Sequence, residues 1–141
     1  MNQPSDPGHA LIGTWKLLTV RLEFVEGGEP LALFGPTPRG RLIVTGAGDF
    51  MTIITSDDRA LLRDTARMFD TMMAYAGKFR LDDNKIIISC DLSWYPDWVG
   101  TEQVRFFELH GDKLSIRSAR QTHPRYPDRL GYGVIDWTRE S

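Results

Sequence analysis

Short runs rich in β-branched and aromatic residues recur along the chain at fairly regular intervals, each ended by Gly, Asp, Asn or Pro, and this rhythm constrains the fold more than any other feature. Strands are predicted over Thr14 to Val25, Arg41 to Thr45, Phe50 to Thr55, Gly77 to Asp82, Lys85 to Leu92, Glu102 to Leu109, Lys113 to Ser118 and Tyr132 to Arg139. Three of the intervening turns, Gly46-Ala47-Gly48-Asp49, Asp82-Asp83-Asn84 and His110-Gly111-Asp112, carry residues that tolerate positive φ, so these hairpins are tight. Eight antiparallel strands in a meander leave two unpaired edges unless the sheet closes on itself. Closure gives an all-β, eight-stranded up-and-down barrel, whose interior is either filled by side chains or holds one small ligand.

One segment departs from the two-residue period. From Arg59 to Ala74, Leu62, Ala66, Phe69 and Met73 recur at i, i+4, i+7 and i+11, which predicts one short amphipathic helix inserted between strands 3 and 4. Ser56 is placed to cap it, and Asp57 and Asp58 put negative charge in its first turn. Such a helix must lay its apolar face on the open mouth of the barrel or on its outer wall. The mouth is the preferred reading, and it makes the helix a lid.

With 141 residues the chain suffices for one domain, taken as 11–141, preceded by a disordered tail over 1–10. The balance of 17 basic against 19 acidic side chains, with no run of Lys or Arg, argues against tight binding to nucleic acid or an anionic membrane. No stretch has the length of a spanning helix or the layout of a signal peptide, so a cytoplasmic address is expected. Cys90, the only cysteine, has no partner for an internal disulfide, and the scattered His9, His110 and His123 give no ligand spacing. Neither a metal nor a cofactor is expected. The nucleophile-elbow, phosphate-loop, dinucleotide and zinc-protease motifs are all missing, which removes several large enzyme classes.

Strand alternation supplies the site candidates. In Glu102 to Leu109 one face presents Gln103, Arg105, Phe107 and Leu109, so an inward Arg105 would need either an anionic ligand group or a protein carboxylate such as Asp91, Glu23 or Asp136. In Lys85 to Leu92 the set Ile86, Ile88, Cys90 and Leu92 is read as inward, so Cys90 is expected to be a buried, inert thiol. In the first strand Trp15 demands burial, yet beyond Leu18 the more apolar set is Val20, Leu22 and Phe24. A polar inner face with Thr19, Arg21 and Glu23 at the open end would reconcile the two, leaving an outer apolar stripe for a homodimer or for the returning Leu31 to Phe34 segment. Met51, Met68, Met72 and Met73 can either shape a pocket under the lid or fill core gaps. His123 lies in the long connection from Ala119 to Leu130, where an imidazole can serve as acid or base or simply be solvated.

Leu11-Ile12-Gly13-Thr14-Trp15-Lys16-Leu17 resembles the G-x-W opening of lipocalins, in which the tryptophan plugs the closed end beside an arginine of the last strand. Trp137-Thr138-Arg139 is placed to supply that arginine. Phe34-Gly35-Pro36-Thr37-Pro38-Arg39-Gly40, Ala74-Tyr75-Ala76-Gly77-Lys78-Phe79, Trp98-Val99-Gly100-Thr101-Glu102-Gln103-Val104-Arg105-Phe106-Phe107 and Gly111-Asp112-Lys113-Leu114 resemble further signatures of the bacterial and fungal lipocalin-like domain family. The resemblance implies a small closed barrel with a ligand cavity, often placed in natural-product pathways. It also implies histidines on the fifth strand, where this chain has Ile88 and Ser89, and that departure weakens a borrowed acid–base mechanism.

Two functions remain open at this level. One is a cofactor-independent cyclase or isomerase of a polyketide-like intermediate, working by orientation and desolvation. In it Arg105 stabilises charge developing on a carbonyl oxygen and Tyr75 donates a hydrogen bond, while Met51, Met72, Phe79, Trp94, Phe107 and Thr19 contact the substrate. The other is a non-catalytic carrier of a small hydrophobic ligand that uses the same contacts. A barrel filled completely by its own side chains, serving as an interaction module, is the plainest alternative.

Overall fold

The computed structural model describes residues 10–123 and 126–141, leaving out the side chain of His123. The expected tail up to residue 9, with His9, and any role for the His123 imidazole therefore lie outside the described residues. The strands are β1 (Gly13–Phe24), β2 (Arg39–Val44), β3 (Asp49–Thr55), β4 (Met72–Asp82), β5 (Lys85–Ser93), β6 (Glu102–His110), β7 (Lys113–Ser118), β8 (Gln121–His123) and β9 (Tyr126–Arg139). Each of β1 to β6 pairs antiparallel with the next, β7 pairs with β9, and β9 returns to β1, so the barrel is closed. β8 continues β7 along the same edge of β9: β7 covers Thr138 to Val134, β8 takes over at Gly131, and β1 occupies the opposite edge. Eight staves result.

The two ends differ. Tight turns join β2 to β3, β4 to β5 and β6 to β7 at one end, as the Gly and Asp punctuation requires, whereas 25–38, 56–71 and 94–101 all leave from the other. At the tight-turn end Trp15 is fully buried, its indole Nε1 donates to the Leu11 carbonyl at 3.0 Å, and the Arg139 guanidinium stacks 4.2 Å from its ring centroid. Arg139 also donates to the carbonyls of Ile12 and Ala10, which fastens the segment before β1 across the floor. Gly13 is obligatory here: its φ is +143°, and a Cβ would stand 2.4 Å from the Ser141 carbonyl oxygen.

Two bulges decide which side chains face inward. In β1 the register against β9 shifts between Leu17 and Thr19, so Leu18 is the extra residue and the alternation changes phase behind it. Trp15, Leu17, Val20, Leu22 and Phe24 all face the core as a result. This corrects the expectation for β1: Thr19 is exposed on the outer wall, Arg21 and Glu23 lie on that wall too, and the apolar stripe proposed for a homodimer is internal. A second shift separates Ala76 from Gly77, with Asp91 as the extra residue in β5. Gly77 lets the strands close there, since a Cβ would meet the Ser89 carbonyl oxygen at 2.0 Å.

The insertion after β3 is shorter than its periodicity suggests. A 3-10 turn at Arg59–Leu61 and α1 (Thr65–Asp70) replace the predicted helix, and Met72 to Ala74 already belong to β4. Asp64, not Ser56, caps α1, accepting from the Ala66 amide at 2.9 Å, while Ser56 is buried and its hydroxyl donates to Asp58. Met72 and Met73 pair with Thr55 and Ile54, so the ladder and its side-chain packing override the helical spacing.

On the outer wall Asp136 accepts from Thr19 and from Arg21, each at 3.0 Å. Burial works to raise its carboxyl, but donation from Ser115, Arg21 and Thr19 with the Arg21 charge outweighs that and holds it below the ordinary carboxylate value. A depressed folded-state value adds stability above the unfolded value of about 3.9, and the gain vanishes as pH falls through the lower one. Urea unfolding should therefore find Asp136→Asn less stable than wild type near neutral pH, with the gap closing below about pH 3. A gap independent of pH would remove the ionic contribution.

Candidate functional site at the barrel mouth

Inward side chains near the open end come from the first residues of β4 and β6 and from the 94–101 connection. Arg105 is the centre. On β6 it pairs with Ile86 of β5 and Ser118 of β7, which puts it on the inner face, and it is only 8% exposed. Its guanidinium stands 5.5 Å from the ring centroid of Tyr75 and 5.5 Å from that of Trp98. Nη1 donates to the Val104 carbonyl at 3.0 Å, and Nη2 to Gln103 Oε1 at 3.4 Å. Among the described residues no carboxylate pairs with it: Glu23 and Asp136 are held by Arg21 on the outer wall, and Asp91 is exposed at its bulge. None of the three carboxylates considered for it, Asp91, Glu23 and Asp136, is therefore its partner.

A cation taken out of water without a counter-charge is costly, and two π faces offset only part of that cost. What remains is an attraction for an anionic or enolic oxygen. Around Arg105 the rings form a connected series, since Tyr75 meets Trp98 edge-on at 5.2 Å, Trp98 meets Trp94 at 5.2 Å, and Trp94 meets Phe69 of α1 at 5.9 Å. Trp94 Nε1 also donates to the Phe69 carbonyl at 3.3 Å. Arg105, Tyr75 and Trp94 therefore come together.

The other expected contacts divide. Phe107 and Phe79 face inward but lie deeper, Phe107 opposite Ile116 and Phe79 opposite Ile88. Met72 is half-buried at the rim, on the strand face opposite to that of Tyr75, and Met73 takes the inner position. Met51 is corrected outright: β3 turns Phe50, Thr52 and Ile54 inward and leaves Met51 45% exposed. Trp98 was missed as a site residue, and Gln103, placed correctly on the face of Arg105, had no role assigned. Trp98 sits on a 3-10 turn, Pro96–Trp98, whose position over the mouth depends on how far 94–101 folds back, and no local pattern encodes that.

Cys90 is buried on the inner face, and burial with the nearby Asp91 charge pushes its thiol up, against nucleophilic use. Among the described residues no group of three or more His, Cys, Asp or Glu side chains is placed to hold a metal. Further in, Phe107, Leu114, Ile116 and Trp137 occupy the interior, and the Trp137 indole N–H has no hydrogen-bond partner there among the described residues. Two cavities, of about 370 and 200 Å3, open on the outer wall.

The mouth is covered by more than the helix. Phe34 belongs to the core and Leu33 and Trp98 pack against it, whereas α1 buries none of its residues. If 56–71 closes over a ligand through the Phe69–Trp94 contact, its amides should become at least several-fold slower to exchange when ligand is added, with the strands unchanged. Protection equal to that of the strands before and after ligand would refute a lid.

A family described as a lipocalin-like domain matches residues 12–139 of the chain. No curated protein matches it. A barrel of this kind fits the binding of a small hydrophobic molecule, and no helix among the described residues is long and apolar enough to cross a membrane.

Proposed function

Because the chain belongs to the lipocalin-like domain family, we propose that it takes an apolar small molecule with one acidic oxygen into the barrel mouth and converts it as a cofactor-independent cyclase or isomerase of a polyketide-like intermediate. The observation that carries this reading is Arg105, buried against two rings with no carboxylate of its own among the described residues. An enolate or carbonyl oxygen docked on the guanidinium gains stabilisation where negative charge develops, and exclusion of water enlarges that gain. Tyr75 donates from β4, across β5 from Arg105, and Trp94 and Trp98 hold the carbon skeleton in a folded shape, which lowers the barrier by orientation. Entry requires Trp98 and the segment around α1 to move aside.

The second reading, a carrier, draws on the same contacts and on the raised thiol of Cys90, which leaves no obvious nucleophile beside Arg105. Incubating the protein with an organic extract of its source organism, then analysing bound and released molecules by chromatography and mass spectrometry, separates the two. An enzyme releases an isomer of the captured compound, and a carrier releases the compound unchanged. Retention of neutral molecules alone would overturn the role of Arg105.

A further inference from the structure

The larger outer cavity is framed by Phe106, Arg117, Ser118, Ala119, Arg120 and Tyr132, none of which belongs to the mouth site. Its origin lies in the strand pattern: β7 stops at Ser118 and β8 starts at Gln121, so the chain steps aside at Ala119 and Arg120 and leaves a hollow beside the outward Phe106 and Tyr132. We propose that this hollow is a second ligand site, taking a small planar aromatic carboxylate.

The Arg117 guanidinium stands 5.4 Å from the Phe106 centroid and 5.7 Å from that of Tyr132, so two rings position it where an acid ordinarily would. Among the described residues neither Arg117 nor Arg120 has a carboxylate partner, and Lys85, 5.9 Å from the Phe106 centroid, adds a third positive charge. The in-plane N–H groups of Arg117 are left for a bidentate acceptor, a geometry that matches a carboxylate. Volume agrees, because about 370 Å3 falls within the range of about 300–1,000 Å3 usual for small-molecule sites. Polarity fixes the orientation. The adjoining smaller cavity shares Arg117 but also carries Glu108 and Glu23, the latter paired with Arg21, so the anion belongs on the Arg120 side of Arg117. Phe106 and Tyr132 offer the apolar surface a ring needs, which a simple inorganic anion would not use.

Titration of the full chain with 2-naphthoate, followed in 15N–1H correlation spectra, tests this independently of the mouth site. Amides of Arg117, Arg120 and Tyr132 should shift together, whereas binding at the mouth would move Tyr75 and Trp98. The Arg117→Met variant should weaken the outer-site response at least tenfold, and neutral 2-naphthamide should be weaker by a similar factor. Arg117 and Arg120 are both exposed, and Arg120→Gln serves as a second variant that should weaken binding several-fold. The proposal is overturned if the outer amides do not respond to 2-naphthoate, if the amide binds as well as the acid, or if inorganic phosphate or acetate produces the same shifts at the same concentration.

Discussion

Trp15→Ala should lower the stability of the barrel by about 3–5 kcal/mol, the usual cost of truncating a fully buried aromatic side chain. For a domain of this size that corresponds to a fall in melting temperature of about 10 °C or more. The loss exceeds a simple cavity, because the indole joins three things at the floor: the Leu11 carbonyl through Nε1, the Arg139 guanidinium through its π face, and Leu42 of β2 opposite it. Removing it leaves Arg139 without its stacking surface while the carbonyls of Ile12 and Ala10 still claim its donors. Trp15→Phe should recover part of the loss by restoring a ring without the N–H. Calorimetric melting decides the matter, and an unchanged transition in Trp15→Ala would reject the plug.

Arg105→Met should act in the opposite sense on stability and function. Replacing a buried, uncompensated charge by an apolar side chain of similar reach is often neutral or stabilising, so the melting temperature should hold or rise. Turnover, under the enzymatic reading, should fall by about two to three orders of magnitude, as when one oxyanion donor is lost. For a carrier, acidic ligands should bind about 10- to 100-fold more weakly, and a neutral analogue of the same shape should bind as before. Equal loss for acidic and neutral ligands would mean that Arg105 contributes shape rather than charge.

The barrel was legible in the sequence because its determinants are local. Alternation in β3 and β6 sorts inward from outward residues correctly, in β5 it does so up to Cys90 but fails at Leu92, which the Asp91 bulge turns out to 63% exposure, and the Gly and Asp turns mark the tight end. Arg105 was found for that reason, since nothing disturbs the period of β6 between Glu102 and His110. Thr19 was misplaced because a single extra residue inverts every side chain beyond it, and a bulge at Leu18 is set by pairing with β9, more than a hundred residues away in the chain. Met51 failed through its residue type: a thioether suggested a pocket, whereas the alternation of Phe50, Thr52 and Ile54 already pointed it outward. The over-long helix reflects a competition that periodicity does not weigh, in which Met72 and Met73 gain more from joining β3 than from extending α1.

The step between β7 and β8 has a consequence for behaviour in concentrated solution. β7 reaches only to Ser118 opposite Arg105, so among the described residues Glu102, Gln103 and Val104 of β6 face no strand on that side. A closed barrel abolishes edges, and here a three-residue edge survives. Such an edge can recruit a strand from another molecule unless something discourages it. Glu102, tied to Arg80 at 2.7 Å, places an ion pair at its start, and any incoming strand would have to displace or bury that pair. Charge at an exposed edge disfavours strand addition, so the ion pair at Glu102 guards the short gap in the wall against intermolecular pairing.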